Sequence, residues 1–523
     1  MKTSLYNIFS WIRFTFLFVA VLMIWALRTL NWIWMRPNRL EKCLRKQGLN
    51  GNSYRLTIGV TKESAMIIKE AASKPITFSH DISARVLPSV HNAIKRYGKN
   101  CFMWIGTAPR IHITDPTLAK DVFSKYDDFQ KYYKTNNPLV KLFIGGVISY
   151  EGKKWAKHRS IMNPAFHLDR LKHMLPAFHS SCSDMIRKWE KMVPEMESFE
   201  LDVWPQFEAL TADVISRTAF GSSYGQGTNI FELLKEQSHL TLQAMDSAIY
   251  IPGSRFLPTK WNKRMKEIHE QVQASIRSMV NARVEEMMDG GETNEDLLGV
   301  LLRYNLKETQ QNGVGMTVDD VIAESKLFYF AGQETTSGLL TWTMIVLSKH
   351  HEWQDRAREE IFQVFGDRKP DYEGLSRLKI VTMIINEVLR LYPPVVELTR
   401  IVREETKLGE LTIPAGVSIM VPTILIHNDH EIWGEDACEF NPERFSEGVS
   451  KATKGQVTFF PFGWGPRICI AQNFALLEVK MALALILPRF CFDLSPSYAH
   501  APYVVITLQP QFGAHLTIHK IKH

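Results

Sequence analysis

From Thr317 to Lys349 the chain reads TVDDVIAESKLFYFAGQETTSGLLTWTMIVLSK, with no proline. The opening Thr-Val-Asp-Asp is a capping box, in which the hydroxyl and the later carboxylate satisfy N–H groups that a helix start leaves free. At 1.5 Å per residue the predicted helix is roughly 50 Å long. Its second half, LLTWTMIVL, is apolar nearly all round. Such a helix has no face to offer water, so it must thread the middle of a large fold. Midway stands a polar island, AGQETTS, residues 331–337. Polar groups at a protein's centre are costly unless they are bonded or used.

The surrounding fold is expected to be mainly α with small β-sheets (α+β). Strand signals are few. Residues 407–425, KLGELTIPAGVSIMVPTIL, carry a Pro-Ala-Gly turn between β-branched runs and predict a hairpin. The stretch APYVVITLQPQFGAHLTIHK predicts a second strand pair near the C-terminus. No Gly/Ser linker, repeat or low-complexity tract divides residues 51–523. They are expected to form one catalytic body, large for a single core.

Residues 1–50 read differently. Residues 8–27, IFSWIRFTFLFVAVLMIWAL, are long and apolar enough to cross a bilayer core as one helix. Arg13, near its start, can snorkel to the interface, and Trp32 with Trp34 resembles an aromatic belt at the far end. Arg28, Arg36, Arg39, Lys42, Arg45 and Lys46 follow against a single Glu41, which by the positive-inside rule keeps the C-terminal bulk in the cytosol. No small-residue cleavage site follows, which argues against a signal peptide. A single-pass anchor and a basic linker are predicted.

A chain of 523 residues that is 45% hydrophobic and 22% charged is neither disordered nor fibrous. Its net charge of +7 permits an anionic membrane surface and does not point to nucleic acid. Six cysteines occur with no CxxC, the pattern of a reduced intracellular chain. Only Cys469 has a distinctive neighbourhood, FGWGPRICIA, residues 462–471. Gly463 and Gly465 allow a tight turn and close approach. The helix-forming run QNFALLEVKMALALIL follows directly, and a helix start stabilises a thiolate. Arg467 can meet a carboxylate on a bound group. Such a thiolate is a strong ligand for haem iron. The bland alternative is a glycine turn capping a buried helix beside an inert cysteine.

FGWGPRICIA resembles the haem-binding loop of the cytochrome P450 superfamily, Phe-x-x-Gly-x-Arg-x-Cys-x-Gly. It matches at every fixed position but the last, where Ala471 replaces glycine. If that position needs a left-handed backbone, the methyl costs on the order of 1 kcal/mol. Glu387-Val388-Leu389-Arg390 is similar to the family's Glu-x-x-Arg, and NPERF (residues 441–445) supplies Arg444. The resemblance implies a buried ion network of Glu387, Arg390 and Arg444. AGQETTS resembles the oxygen-activation motif, which assigns Gly332 to making room for dioxygen and Glu334 with Thr335 to passing protons. A threonine bonding back to the helix carbonyls is the bland reading there, and both can hold. Trp155 and Arg159 of KKWAKHR, and Arg400, match positions that grip haem propionates. Arg467, Phe462 and Gly463 complete the cofactor set around Cys469, the iron's axial ligand.

Finer detail (YEGKKWAKHR, NPAFHL, LFYFAGQETTS, QNFALLEVK) resembles the plant family numbered seventy-two, subfamily A. That implies a cytochrome P450 fold and haem b (iron protoporphyrin IX). It also implies a single-pass endoplasmic-reticulum monooxygenase acting on a terpenoid such as a triterpenoid, iridoid or gibberellin. The stretches 132–150, 249–258 and 395–399, with Glu397, are expected to line the pocket. GVGMTV at residue 313 lacks the third glycine of a dinucleotide fingerprint and no P-loop is present. Electrons from NADPH are therefore expected through NADPH-cytochrome P450 reductase, with cytochrome b5 as a further partner. Lys153, Lys154 and Lys157 are candidate docking cations, or else a solvated face. His351-Glu352 begins like a zinc-protease motif, but Asp355 stands where its second histidine belongs. Two rivals remain: a haem-thiolate isomerase or dehydratase that does not use dioxygen, and a non-catalytic haem scaffold or sensor.

Overall fold

A computed structural model of the chain describes residues 2–55, 59–131, 140–143, 145–192, 198–221, 224–246, 257–289, 296–313 and 315–521. The central helix spans Val318–Leu347. Its capping box is formed: Asp320 N–H donates to Thr317 Oγ1 at 3.1 Å, and Thr317 N–H to Asp320 Oδ2 at 3.2 Å. From Thr336 to Leu347 every residue is buried, as its all-round apolar surface requires. Between Val321 and Thr335, the partly exposed positions are Ala323, Leu327, Phe330, Ala331, Gly332 and Thr335. Most recur every three or four residues, so one stripe of this buried helix borders an internal cleft.

Helices Leu168–Met192, Val203–Phe220, Tyr224–Asp246, Lys260–Met288, Lys379–Leu391 and Gln472–Ile486 surround it and share one large apolar core. Thirteen strands are seen among the described residues. The main sheet has six, in the order β1 (Asn50–Gly51), β2 (Asn100–Ile105), β3 (Ala108–Ile113), β9 (Ser418–Val421), β6 (Leu398–Val402), β4 (Phe129–Lys131). A second apolar cluster packs on it, including Phe102, Ile111, Phe123, Phe129, Ile419 and Phe460.

The predicted hairpin over residues 407–425 forms elsewhere. β7 (Thr406–Leu408) turns at Gly409 into β8 (Leu411–Ile413), whereas β9 leaves to pair with β3 and β6. Ser418 to Val421 are all buried, and a strand apolar on both faces belongs inside a larger sheet. Near the C-terminus β11 (Pro502–Val505) and β12 (Thr507–Pro510) pair with each other. β13 (His515–Lys520) instead joins β10 (Phe490–Leu494) and β5 (Phe199–Asp202).

The N-terminal helix, Lys2–Leu30, runs through a π-helical turn, Asn31–Met35, into helix Arg36–Lys46. The apolar part is long enough to span a membrane, and none of it is buried in the fold. The basic stretch expected as a linker is this last helix, whose Leu40 and Leu44 enter the sheet-side core. Gln47 then clasps β8. Its Nε2 donates to Thr412 O at 2.9 Å, and its Oε1 accepts from Thr412 N–H at 2.5 Å.

Candidate functional site

The stretch before Cys469 folds as a tight loop. Gly463 N–H donates to Phe460 O at 2.9 Å, and Cys469 N–H donates to Phe462 O at 2.9 Å. Gly463 has φ +75° and Gly465 φ +72°, where side chains are strained. At Gly465 a Cβ would also stand 2.7 Å from Phe123 O, so no other residue fits. Ala471 is different. With φ −97° and ψ 18° it is the residue before helix Gln472–Ile486, an ordinary conformation in which the methyl carries no penalty. Cys469 is enclosed by the fold and still exposed, so its thiol faces the internal cleft. Burial pushes that thiol up, while a hydrogen bond from Ala471 N–H and the charges of Arg159 and Lys131 favour the thiolate.

Around the sulfur gather cations from four places in the sequence. Arg159, on helix Gly152–Met162, donates to Ile468 O at 2.9 Å. Arg467 donates to Tyr150 O at 2.8 Å and pairs with Glu151 at 2.9 Å. Its guanidinium lies 4.5 Å over the Trp155 ring. Arg400, 5% exposed, stands opposite Lys131 in the β4–β6 register. Burial, then Arg400 and Arg467, hold the Lys131 ammonium well below the ordinary lysine range, opposed by Glu151 and Cys469. Lys131 escaped the sequence reading because no motif contains it; only its pairing across the sheet brings it here.

Beneath the loop lies the ion network. Glu387 and Arg390 are fully buried. Arg390 donates to Glu387 through Nε at 2.8 Å and through its second fork nitrogen at 2.7 Å. It also donates to His427 O at 2.7 Å. Arg444 Nε lies 3.5 Å from Glu387, and Arg444 pairs more closely with Asp436 at 2.7 Å. His427 ties this network to the cysteine loop. Its Nε2 accepts from Phe460 N–H at 3.0 Å, which leaves Nδ1–H to donate to Arg390 O at 3.2 Å. Burial, with Arg390 adding, pushes its ring down to about 3, so it stays neutral.

The polar island of the central helix divides between two sides. Thr335 Oγ1 donates to Ala331 O at 2.8 Å and lies on the stripe facing the cleft. Glu334 is buried and accepts from Thr507 Oγ1 at 2.9 Å and from Gln509 Nε2. Burial, with Glu208 adding, pushes its carboxyl up to about 7 against those bonds and the Lys235 charge. Gly332 is partly exposed on the same stripe, and its other side is close-packed. Its missing Cβ is crowded by Ile215 of helix Val203–Phe220, at 2.9 Å, so the glycine lets two helices meet. Of the candidate docking lysines, Lys154 pairs with Asp320 at 2.7 Å and Lys157 bonds Gly315 O. Both fasten their helix to the start of the central one. Much of the expected substrate stretches 132–150 and 249–258 lies outside the described residues.

A family model described as Cytochrome P450 matches residues 80–504. "Cytochrome P450 CYP72A219" of Panax ginseng is 57% identical over 512 residues, spanning 97% of this chain and 98% of the relative. "7-deoxyloganic acid hydroxylase" of Catharanthus roseus is 54% identical, over 96% of this chain and 98% of its own length. "Secologanin synthase 2" of the same plant is 53% identical, over 96% of both.

Proposed function

The chain belongs to the cytochrome P450 family, within subfamily 72A, and from that premise we propose that it oxidises a terpenoid with dioxygen and electrons drawn from NADPH. It is an oxidoreductase of the monooxygenase class, and the family implies a haem cofactor. The residues present fit that group. A thiol faces the cleft, and Arg159, Arg400 and Arg467 supply cations for two carboxylates, whose arrival would also favour the charged form of Lys131. That ring of charge about Cys469 is the observation that carries the reading.

When bound, the haem supplies dioxygen activation and oxygen insertion into a C–H bond. Cys469 Sγ would hold its iron, on a loop shaped by Phe462 and Gly463 and steadied by Phe460 and His427. Arg159, Arg400, Arg467 and Lys131 would hold its carboxylates, with Trp155 seating Arg467. Glu387, Arg390 and Arg444 brace the layer below. Glu334 keeps a proton available near neutral pH on the other side of the helix, so passing it to the Thr335 hydroxyl on the cleft side requires the carboxyl to turn or a water to bridge the two. Thr507 and Gln509 fix where that proton waits. The names of the Catharanthus relatives, a hydroxylase of 7-deoxyloganic acid and a secologanin synthase, favour a terpenoid substrate. Reduction is expected from NADPH-cytochrome P450 reductase, with cytochrome b5 as a second donor, on a single-pass anchor in the endoplasmic reticulum.

The test is expression in yeast microsomes with a plant reductase. The protein should show a thiolate-type carbon monoxide band, and Cys469→Ser should abolish it. An unchanged band in that variant ends the ligand assignment. Feeding triterpenoids, iridoids and gibberellins should yield oxygenated products only with NADPH and O₂; conversion without either would instead favour an isomerase.

A further inference from the structure

A buried tyrosine bonded to a histidine lies outside the site described above. Tyr392 caps the helix that carries Glu387 and Arg390, and it is fully buried. Its ring stacks on Trp342 of the central helix, with centroids 4.8 Å apart and planes 13° from parallel. Trp342 is also fully buried. Its indole N–H donates at 3.3 Å to the carbonyl of Leu508, the residue between Thr507 and Gln509 that hold Glu334. The indole stands two turns beyond Thr335, about 10 Å along the helix at 1.5 Å per residue.

With neutral rings, the hydrogen bonds leading away from Tyr392 admit one consistent set of protons. The phenol oxygen lies 2.9 Å from His80 Nδ1 and 3.3 Å from Ser79 O. His80 Nε2 lies 3.3 Å from His350 Nε2, and His350 Nδ1 faces the Glu352 carboxylate at 3.4 Å. A carboxylate only accepts, so His350 carries its hydrogen on Nδ1 and accepts on Nε2. His80 must then donate from Nε2, which leaves Nδ1 to accept from the phenol. Burial, then His350, His500 and Arg390, push the His80 ring down to about 3, so it stays neutral. The chain ends in solvent, since the Glu352 side chain is 64% exposed.

We propose that Trp342 and Tyr392 form a redox pair that drains an oxidising equivalent left at the haem when dioxygen is activated and no substrate receives it, with His80, His350 and Glu352 as the outlet for the phenol's proton. This rests on the monooxygenase reading, which supplies the oxidant. One electron leaves the stack for the haem, and the Tyr392 O–H bond breaks as its proton moves to His80 Nδ1. His80 does not hold two protons; its Nε2 hydrogen passes to His350, and the His350 Nδ1 hydrogen passes to Glu352. A neutral tyrosyl radical remains, and no charge stays in the core, where it would be costly. One electron from a soluble thiol or ascorbate restores the phenol, the proton returning along the same chain.

The full-length holoprotein, purified free of substrate with its thiolate band intact, is mixed with hydrogen peroxide and frozen at successive times for electron paramagnetic resonance. Wild type should give an organic radical signal that narrows when the protein carries ring-deuterated tyrosine. Tyr392→Phe, which keeps the stacked ring, should remove most of that signal and bleach the haem absorption several-fold faster. His80→Gln offers the phenol a partner that passes no proton on; it should slow the signal's appearance, and it serves if the tyrosine variant fails to fold. Tyr498→Phe is the control. Its phenol also lies 2.8 Å from a histidine, His500, but among the described residues it stacks on no tryptophan. Signal and bleaching there should match wild type. Absence of a tyrosyl signal in wild type, an unchanged signal and bleaching rate in Tyr392→Phe, or loss of the signal in Tyr498→Phe overturns the proposal. A holoprotein without the thiolate band fails the monooxygenase reading instead.

Discussion

His427→Ala isolates the link between the ion network and the cysteine loop. The ring is fully buried and makes two bonds, accepting from Phe460 N–H at 3.0 Å and donating to Arg390 O at 3.2 Å. Truncation leaves a buried donor and a buried acceptor unmet, at about 1–3 kcal/mol each. The expected loss is therefore about 2–6 kcal/mol, before any cost of the space left behind. Against a native stability of roughly 5–15 kcal/mol, that is a large share. The readout is local as well as global, because the Phe460 carbonyl holds Gly463 N–H at 2.9 Å. The urea midpoint should fall, and the thiolate-type carbon monoxide band should decay faster than in wild type. His427→Gln, which keeps one donor and one acceptor, should recover part of the loss. A His427→Ala protein that unfolds at the wild-type urea concentration with an equally durable band would refute the linkage.

Restoring the family glycine, Ala471→Gly, should lower stability by about 0.5–1 kcal/mol by loosening the unfolded chain, with the carbon monoxide band unchanged; a gain in stability would contradict the ordinary φ of −97°. Glu334 has its folded pKa raised from 4.5 to about 7. Its contribution is complete below about pH 4.5 and is lost as pH rises through 7. Glu334→Gln should accordingly be more stable than wild type at pH 8, by up to about 3 kcal/mol, and should form less product per NADPH, with no inflection near neutrality. Urea titrations at several pH values, with parallel coupling assays, check both. His112 and His427 are each pushed down to about 3, chiefly by burial. They cost nothing above pH 6.5, and the penalty grows as pH falls toward 3, reaching about 5 kcal/mol each at most. Unfolding midpoints should drop steeply between pH 6.5 and 4, and the drop should shrink in His112→Gln; a flat profile would be inconsistent with neutral buried rings.

What could be read from the sequence was local. The capping box, the central helix and the cysteine loop each lie within a few consecutive residues, and their side-chain types leave little choice of backbone. Glu387 and Arg390 were legible because a spacing of three puts them on one helical face. Lys131, His427 and Asp436 were not, since each acquires its meaning from a partner that only the folded sheet or loop supplies. The close packing of Ile215 against Gly332 was hidden for the same reason: sequence shows that a side chain is missing, and not which neighbour fills the space. The strand Ser418–Val421 was misplaced because an apolar run does not say which sheet will bury it.

The amide of Gln47 grips the backbone of Thr412 from both sides, at the foot of a helix continuous with the apolar N-terminal segment. A tether built this way has no swivel. Once a bilayer holds the first helix, the tilt of everything behind it is set, and with it the height above the lipid at which any second membrane-borne protein must meet this one. Inserting a few flexible residues ahead of Arg36, before the helix whose Leu40 and Leu44 are docked on the sheet, would free the body to tumble while leaving its interior chemistry alone.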